Sequence, residues 1–234
     1  MKNLIVQIYC SLEGFSEPGR LRRHDEIKDI SSYLAKKYAK KHDCEYLLID
    51  DVYINFRHPT YERFRLWEEP YWLDNFDKVM YLDSDVFCWP SAPDIFTLFP
   101  NDKFKVARHW SWKQTLTPDL NLQGDFIGYT HKQLNDISFN AGMFILTKSS
   151  RDQMLPHLNY KKTRIESDDS KVLHRLILDS KIEIETLDRK WNAKNMTEDY
   201  SYFCHLWGNK KHKDPNFPPI LNARKIYDKL TTTL

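Results

Sequence analysis

The chain has little of what would place it in several common classes. It has four cysteines, Cys10, Cys44, Cys88 and Cys204, and no two of them form a CxxC pair. That spacing argues against a zinc knuckle. Three of them sit within or beside apolar stretches and read as small buried hydrophobes, which suits a reducing compartment. Long hydrophobic runs are missing, so no segment approaches transmembrane length. The N-terminal MKNLIVQIYC carries an apolar run of strand length, not the core of a signal peptide. The expectation is a cytoplasmic protein. An excess of positive charge is missing too: 35 Lys and Arg against 33 Asp and Glu leave a formal net charge of +2. That lacks the basic footprint of a nucleic-acid binder. The clusters Arg20-Leu21-Arg22-Arg23 and Lys210-Lys211-His212-Lys213 are local and read first as solvated loops. No internal repeat and no Gly/Ser-rich linker divides the chain, so residues 1–234 read as one domain with ample length for a core. Asn195-Met196-Thr197 matches a glycosylation acceptor pattern, which without a secretory signal reads as a chance match.

What is present is an alternation of short apolar runs and amphipathic stretches, the pattern of an α/β domain with a central, mostly parallel sheet flanked by helices. Leu4–Tyr9 reads as a buried strand, Asp29–Lys41 as a helix and Glu45–Ile49 as a second strand, together a right-handed βαβ unit. The turn after the first strand lacks GxGxxG, which excludes the dinucleotide fingerprint. Pro59–Phe76 reads as a helical stretch with Phe64, Trp67, Trp72 and Leu73 turned to the core. Ser111–Gln133 has no clean period and reads as a functional loop. Asn140–Thr147 opens polar and becomes a strand. Ser167–Leu178 reads as a helix with an acidic start.

The chain is organised around Asp77–Pro90, DKVMYLDSDVFCWP. Val79–Leu82 is long enough for a doubly buried strand and stops on Asp83-Ser84-Asp85. Ligands of open α/β sheets bind at the carboxyl ends of strands. In extended backbone the two carboxylates would point to one side, roughly 7 Å apart, placed to address a cation. An Asp-x-Asp triplet alone is commonly turn or cap punctuation; the apolar strand before it shifts the balance. Near the other end, His205-Leu206-Trp207-Gly208-Asn209-Lys210-Lys211 combines an imidazole ligand, a glycine that lets backbone approach an anion, and a lysine charge suited to phosphate. In isolation that segment reads equally well as a buried histidine followed by a basic loop.

Together these pieces resemble metal-dependent, nucleotide-sugar-using glycosyltransferases of the GT-A fold, in particular the family 8 group of glycogenin and bacterial lipopolysaccharide galactosyltransferases. Similar stand-alone transferases are found in bacteria and large DNA viruses. The resemblance is carried by VMYLDSDV, by FNAGMFILT (Phe139–Thr147), by His205-x-x-Gly208-x-x-Lys211, and by their order over roughly residues 1–215. The chain departs from the family where Pro-Trp would follow the lysine, which is His212-Lys213 here, and where an acidic DQD segment is met only loosely by Asp168-Asp169-Ser170.

The resemblance implies that Asp83, Asp85 and His205 bind one divalent cation, Mn2+ with Mg2+ as the alternative, since a nitrogen ligand favours manganese. It implies that Gly208 and Lys211 hold the donor diphosphate. Ile8, Tyr9 and Cys10 would hold the base of a UDP-sugar, and Arg65, with Arg63 as the alternative, would contact the donor. Ser84, Ala141 and Gly142 join the same donor site. Asn140, Asp168 and Asp169 would sit at the sugar near its reacting carbon, where an Asp would stabilise an oxocarbenium-like transition state with retention of configuration. Gly124-Asp125 would help to choose the donor. The acceptor would be a glycan or glycoprotein, with no nucleic acid. The rival readings are a sugar-phosphate nucleotidyltransferase and a non-catalytic nucleotide-sugar-binding module.

Overall fold

The computed structural model describes residues 2–10, 25–108, 139–160, 169–206 and 216–231. The sequence expectations for Ser111–Gln133, Gly124-Asp125, Asp168, Gly208, Lys211 and the two basic clusters fall outside those residues.

A six-stranded sheet is built from β1 (Asn3–Ile8), β2 (Glu45–Ile49), β3 (Lys78–Leu82), β5 (Phe104–Arg108), β6 (Phe139–Thr147) and β7 (Ile184–Leu187), in the order β2-β1-β3-β6-β5-β7. The β1–β2, β1–β3 and β5–β7 pairs are parallel, and β6 runs against both β3 and β5. Apolar residues on both faces explain the central strands. Leu4, Val6, Val79 and Tyr81 enter one core, while Ile5, Met80 and Leu82 enter the other. This alternation is the period of two expected of a strand covered on both sides.

Helix α1 (Asp25–Lys41) starts four residues earlier than its apolar spacing suggests, opens on Asp25 and Glu26 and closes on Lys40 and Lys41. That charge order complements the helix dipole. It buries Ile27, Ile30, Leu34, Ala35, Tyr38 and Ala39. The stretch Pro59–Phe76, read from sequence as one helical segment, is three pieces: a 3-10 turn at Pro59–Phe64, α2 (Arg65–Glu68) and α3 (Tyr71–Asn75). Pro70 causes the break between α2 and α3: the residue before a proline is pushed out of the helical region, and Glu69 is extended, with ψ 113°. Phe64, Trp67, Trp72 and Leu73 are all buried, as their spacing predicts. The short α4 (Ile95–Leu98) is capped by the Asp94 carboxylate, which accepts from the Phe96 N–H. Helix α5 (Lys148–Met154) follows β6 behind a capping box formed by Thr147 and Ser150. Helices α6 (Asp169–Ser180) and α7 (Pro218–Thr231) complete the described helical layer. No helix among the described residues is long and apolar enough to cross a membrane.

A second, three-stranded sheet has the order β4-β9-β8, from β4 (Val86–Cys88), β8 (Ala193–Lys194) and β9 (Phe203–His205). It joins the chain just after Asp85 to the chain around His205. All four cysteines are free; Cys10, Cys88 and Cys204 are buried.

Candidate metal and donor site

Because β6 is antiparallel to β3, with Leu82 opposite Met143, the start of β6 lies at the same sheet edge as the carboxyl ends of β1, β3 and β5. Asn140-Ala141-Gly142 therefore faces Asp83-Ser84-Asp85, although more than fifty residues separate them in the chain. The Asp83 N–H donates to the Gly142 carbonyl over 2.8 Å.

The triplet is not extended, contrary to the expectation from its sequence. β3 ends at Leu82, and the Val86 N–H donates to the Asp83 carbonyl over 3.0 Å, closing a turn across Ser84 and Asp85. That turn draws the carboxylates closer together than a strand would. Val86 then pairs with His205 across β4 and β9, and the Leu206 N–H donates to the Asp85 carbonyl over 3.1 Å. Backbone pairing thus delivers the buried imidazole to the two acids. His205 Nε2 lies 3.2 Å from Asp85 Oδ1 and 3.4 Å from Asp83 Oδ2. One ligand atom from each of the three residues falls within a mutual 4.8 Å. Burial by itself disfavours the charged imidazole; the charge and hydrogen bond of Asp85, with the charge of Asp83, outweigh it and raise the His205 pKa.

The other oxygen of Asp83 is held from behind. Oδ1 accepts from Arg63 Nη2 at 3.0 Å and from the Tyr81 hydroxyl at 2.7 Å. Arg63 Nη1 donates to the Ala141 carbonyl at 2.7 Å, and its guanidinium lies over the Tyr81 ring. The main chain of Asp83 is held by Gln7, whose Nε2 donates to its carbonyl at 3.0 Å and to Ser31 Oγ at 2.8 Å. Ser31 Oγ in turn donates to the Val86 carbonyl, and the Tyr46 hydroxyl donates to Gln7 Oε1. Gln7 lies inside the apolar run Leu4–Tyr9, where no motif marks it as a site residue. Its amide inside LIVQIY was the available signal, because a fully buried polar side chain needs partners. Tyr81 was equally legible, two residues before Asp83 in the run that leads into it.

Gly142 lies under this cluster. A Cβ there would sit 2.1 Å from His205 Cε1, 2.5 Å from His205 Nδ1 and 2.8 Å from Asp83 Oδ2. Asn140 Oδ1 accepts the Gly142 N–H at 2.8 Å, and Asn192 Nδ2 donates to Asn140 Oδ1 and to its carbonyl.

The two arginines part company. Arg63 is on Asp83. Arg65, the first choice from sequence, binds Asp51 through Nη2 at 3.1 Å and Glu69 through Nε at 2.6 Å, with Tyr53 and Trp72 against its guanidinium. It lies within electrostatic reach of Cys10, whose thiol is pushed up to about 11 by burial and by the Glu62 carboxylate. Cys10 lies two residues past the end of β1. There the Tyr9 N–H donates to the Ile49 carbonyl and the Tyr9 hydroxyl to Asp25. Asp169 is the first residue of α6; Asp168, Gly208 and Lys211 lie outside the described residues. Both amide atoms of Asn195 are buried and meet no partner among the described residues, which is no place for a glycan.

No protein-family model matches the chain, and no curated protein does so. Solved structures do. A glycosyltransferase involved in glycosylation of the PBCV-1 major capsid aligns at TM-score 0.56 and 11% identity over 100% of both chains. The galactosyltransferase LgtC, in complex with donor and acceptor sugar analogues, aligns at TM-score 0.61 and 15% identity over 97% of this chain and 95% of its own. The bifunctional glycosyltransferase WbbM aligns at TM-score 0.59 and 11% identity over 96% of this chain and 51% of its own. The chain has the GT-A-like fold of these proteins.

Proposed function

We propose that this protein is a metal-dependent glycosyltransferase that moves a sugar from a UDP-sugar to a glycan or glycoprotein acceptor, with retention at the sugar carbon. The observation that carries the reading is the convergence of Asp83, Asp85 and His205, one imidazole and two carboxylates far apart in the chain, at the ligand-binding edge of this sheet. The donor set fits a divalent cation. Ligands at neighbouring positions of a six-coordinate ion with bonds of about 2.1 Å lie about 3 Å apart, close to the 3.2 and 3.4 Å found from His205 Nε2. The fixed second oxygen of Asp83 supplies the orienting outer contacts that metal ligands ordinarily have. The nitrogen ligand favours Mn2+, with Mg2+ as the alternative. When bound, such a cation would neutralise charge developing on the departing nucleoside diphosphate.

The chain's own residues divide the remaining work. Arg63 and Tyr81 keep Asp83 Oδ2 turned toward His205. Ile8, Tyr9 and Cys10, with Arg65 within electrostatic reach of Cys10, would form the edge where the base and ribose lie. Asn140 offers its amide to the sugar. Gly208, Lys211, Asp168 and Asp169 keep the diphosphate and sugar roles that the family resemblance implies.

The test is hydrolysis or transfer from a panel of UDP-sugars, with EDTA and with Mn2+ restored. Turnover should vanish in EDTA, return with Mn2+, and be lost in Asp85→Ala and His205→Ala while both variants keep their circular dichroism. The anomeric configuration of the product, read by NMR, checks retention. Full turnover of either variant in excess EDTA removes the metal from the reaction. Binding of UDP-sugar without any turnover would make the protein a binding module instead.

A further inference from the structure

Asn192 ends the 3-10 turn Arg189–Asn192 that follows β7, and it is buried. Its position is rigid because Trp191 beside it is a core anchor, packed on Tyr202 at 4.8 Å and Phe203 at 5.3 Å between ring centres. Its Nδ2 donates to Asn140 Oδ1 at 3.2 Å and to the Asn140 carbonyl at 3.3 Å. Asn140 Oδ1 also accepts the Gly142 N–H at 2.8 Å.

These bonds determine how both amides face. Reversing Asn192 would set its carbonyl oxygen against two acceptor oxygens. Reversing Asn140 would set its NH2 against two donors. Asn140 therefore keeps its oxygen turned inward and presents its NH2, which donates to no described residue. Asn192 holds this arrangement at a cost to itself. Its own Oδ1 is buried and accepts from no described residue. A buried acceptor left unsatisfied lowers stability, and such groups in a folded protein call for a reason other than packing. An apolar side chain of similar size would avoid the penalty.

We propose that Asn192 is a positioning residue that fixes the Asn140 amide with its NH2 toward the donor sugar. The inference rests on the reading that Asn140 contacts that sugar. Asn192 itself acts only through Asn140.

A double-mutant cycle tests this on the full chain with Mn2+, following UDP-sugar hydrolysis for turnover and calorimetry with UDP and Mn2+ for binding. Asn140→Ala should lower kcat tenfold or more. Asn192→Ala should lower kcat by a similar factor with Mn2+–UDP affinity unchanged, and the double variant should be no slower than Asn140→Ala alone. Asn192→Leu covers the case in which the alanine variant folds poorly. It should hold Tm near the parent's, because the unsatisfied oxygen goes along with the two bonds given to Asn140, and still lose turnover. Full turnover of Asn140→Ala would overturn the sugar-contact reading on which the inference rests. Impaired Asn140→Ala beside a normal Asn192→Leu, or a loss at residue 192 that persists in full when Asn140 is already alanine, overturns the positioning role itself.

Discussion

The imidazole of His205 occupies the volume that any side chain on residue 142 would need. The two residues come from strands of different sheets, and the 2.1 Å approach of a hypothetical Cβ to Cε1 leaves no room for even a methyl group. Gly142 is thus required by contact rather than by backbone angle. Gly142→Ala is expected to push the ring away from Asp85 and Asp83. Mn2+ affinity, measured by calorimetry, should fall by about 10–100-fold, the range for disturbed support of a metal ligand. Overpacking should also cost about 1–3 kcal/mol of stability. An alanine variant that binds Mn2+ as tightly as the parent would show that His205 is not a ligand.

The raised pKa of His205 gives two opposite pH trends. The folded value lies above the unfolded one, so the imidazolium–carboxylate contact contributes stability that is fully present below the unfolded pKa, about 6.5. That contribution is lost as pH rises through the folded value. Metal binding requires the neutral ring, so apparent Mn2+ affinity should rise with pH through the same window. Thermal melts in EDTA and in Mn2+ across this range check both signs. The increment from Mn2+ should grow with pH in the parent protein and lose that dependence in His205→Ala.

Arg63 and Arg65 are two residues apart but serve different groups. Arg63→Met removes a donor from Asp83 Oδ1 and from the Ala141 carbonyl, and should weaken Mn2+ binding by about tenfold or more. Arg65→Met breaks contacts with Asp51 and Glu69 and should leave Mn2+ affinity unchanged while lowering Tm. Equal effects of the two variants on metal titrations would contradict the geometry.

Glu62 is fully buried and its carboxylate accepts the N–H groups of Tyr53, Ile54 and Asn55 at 2.9, 3.0 and 2.8 Å. It ties the segment after β2 to the 3-10 turn that carries Arg63. Glu62→Gln replaces one acceptor oxygen with a donor facing those amides and should cost about 1–3 kcal/mol. Denaturant unfolding measures this. A shift of about 2–4 °C in Tm per kcal/mol is the expected scale for a domain of this length.

Much of this was legible in the residues taken in order. The runs Leu4–Ile8 and Val79–Leu82 announced central strands because both of their faces needed apolar partners. Asp83, Asp85 and His205 could be nominated as ligands from residue type and from the resemblance of their surroundings to one family. The helices were readable in place from their spacing but not in extent: α1 begins four residues earlier than expected, and Pro70 and Glu69 divide one expected stretch into short pieces.

Tertiary structure decided the rest, because the deciding contacts join residues far apart in the chain and leave no periodic trace in it. Val86 pairs with His205 through strands of three residues each, too short to show a pattern. The choice of Arg63 over Arg65 for Asp83 depends on how the Pro59–Phe64 turn sits against β3, which no local propensity specifies. Gly142 and Asn192 read as an unremarkable glycine and a loop amide until β6 and the turn after β7 are laid beside the Asp83–Asp85 turn. Their chemistry was written in the chain, but their partners were set by strand order and steric fit.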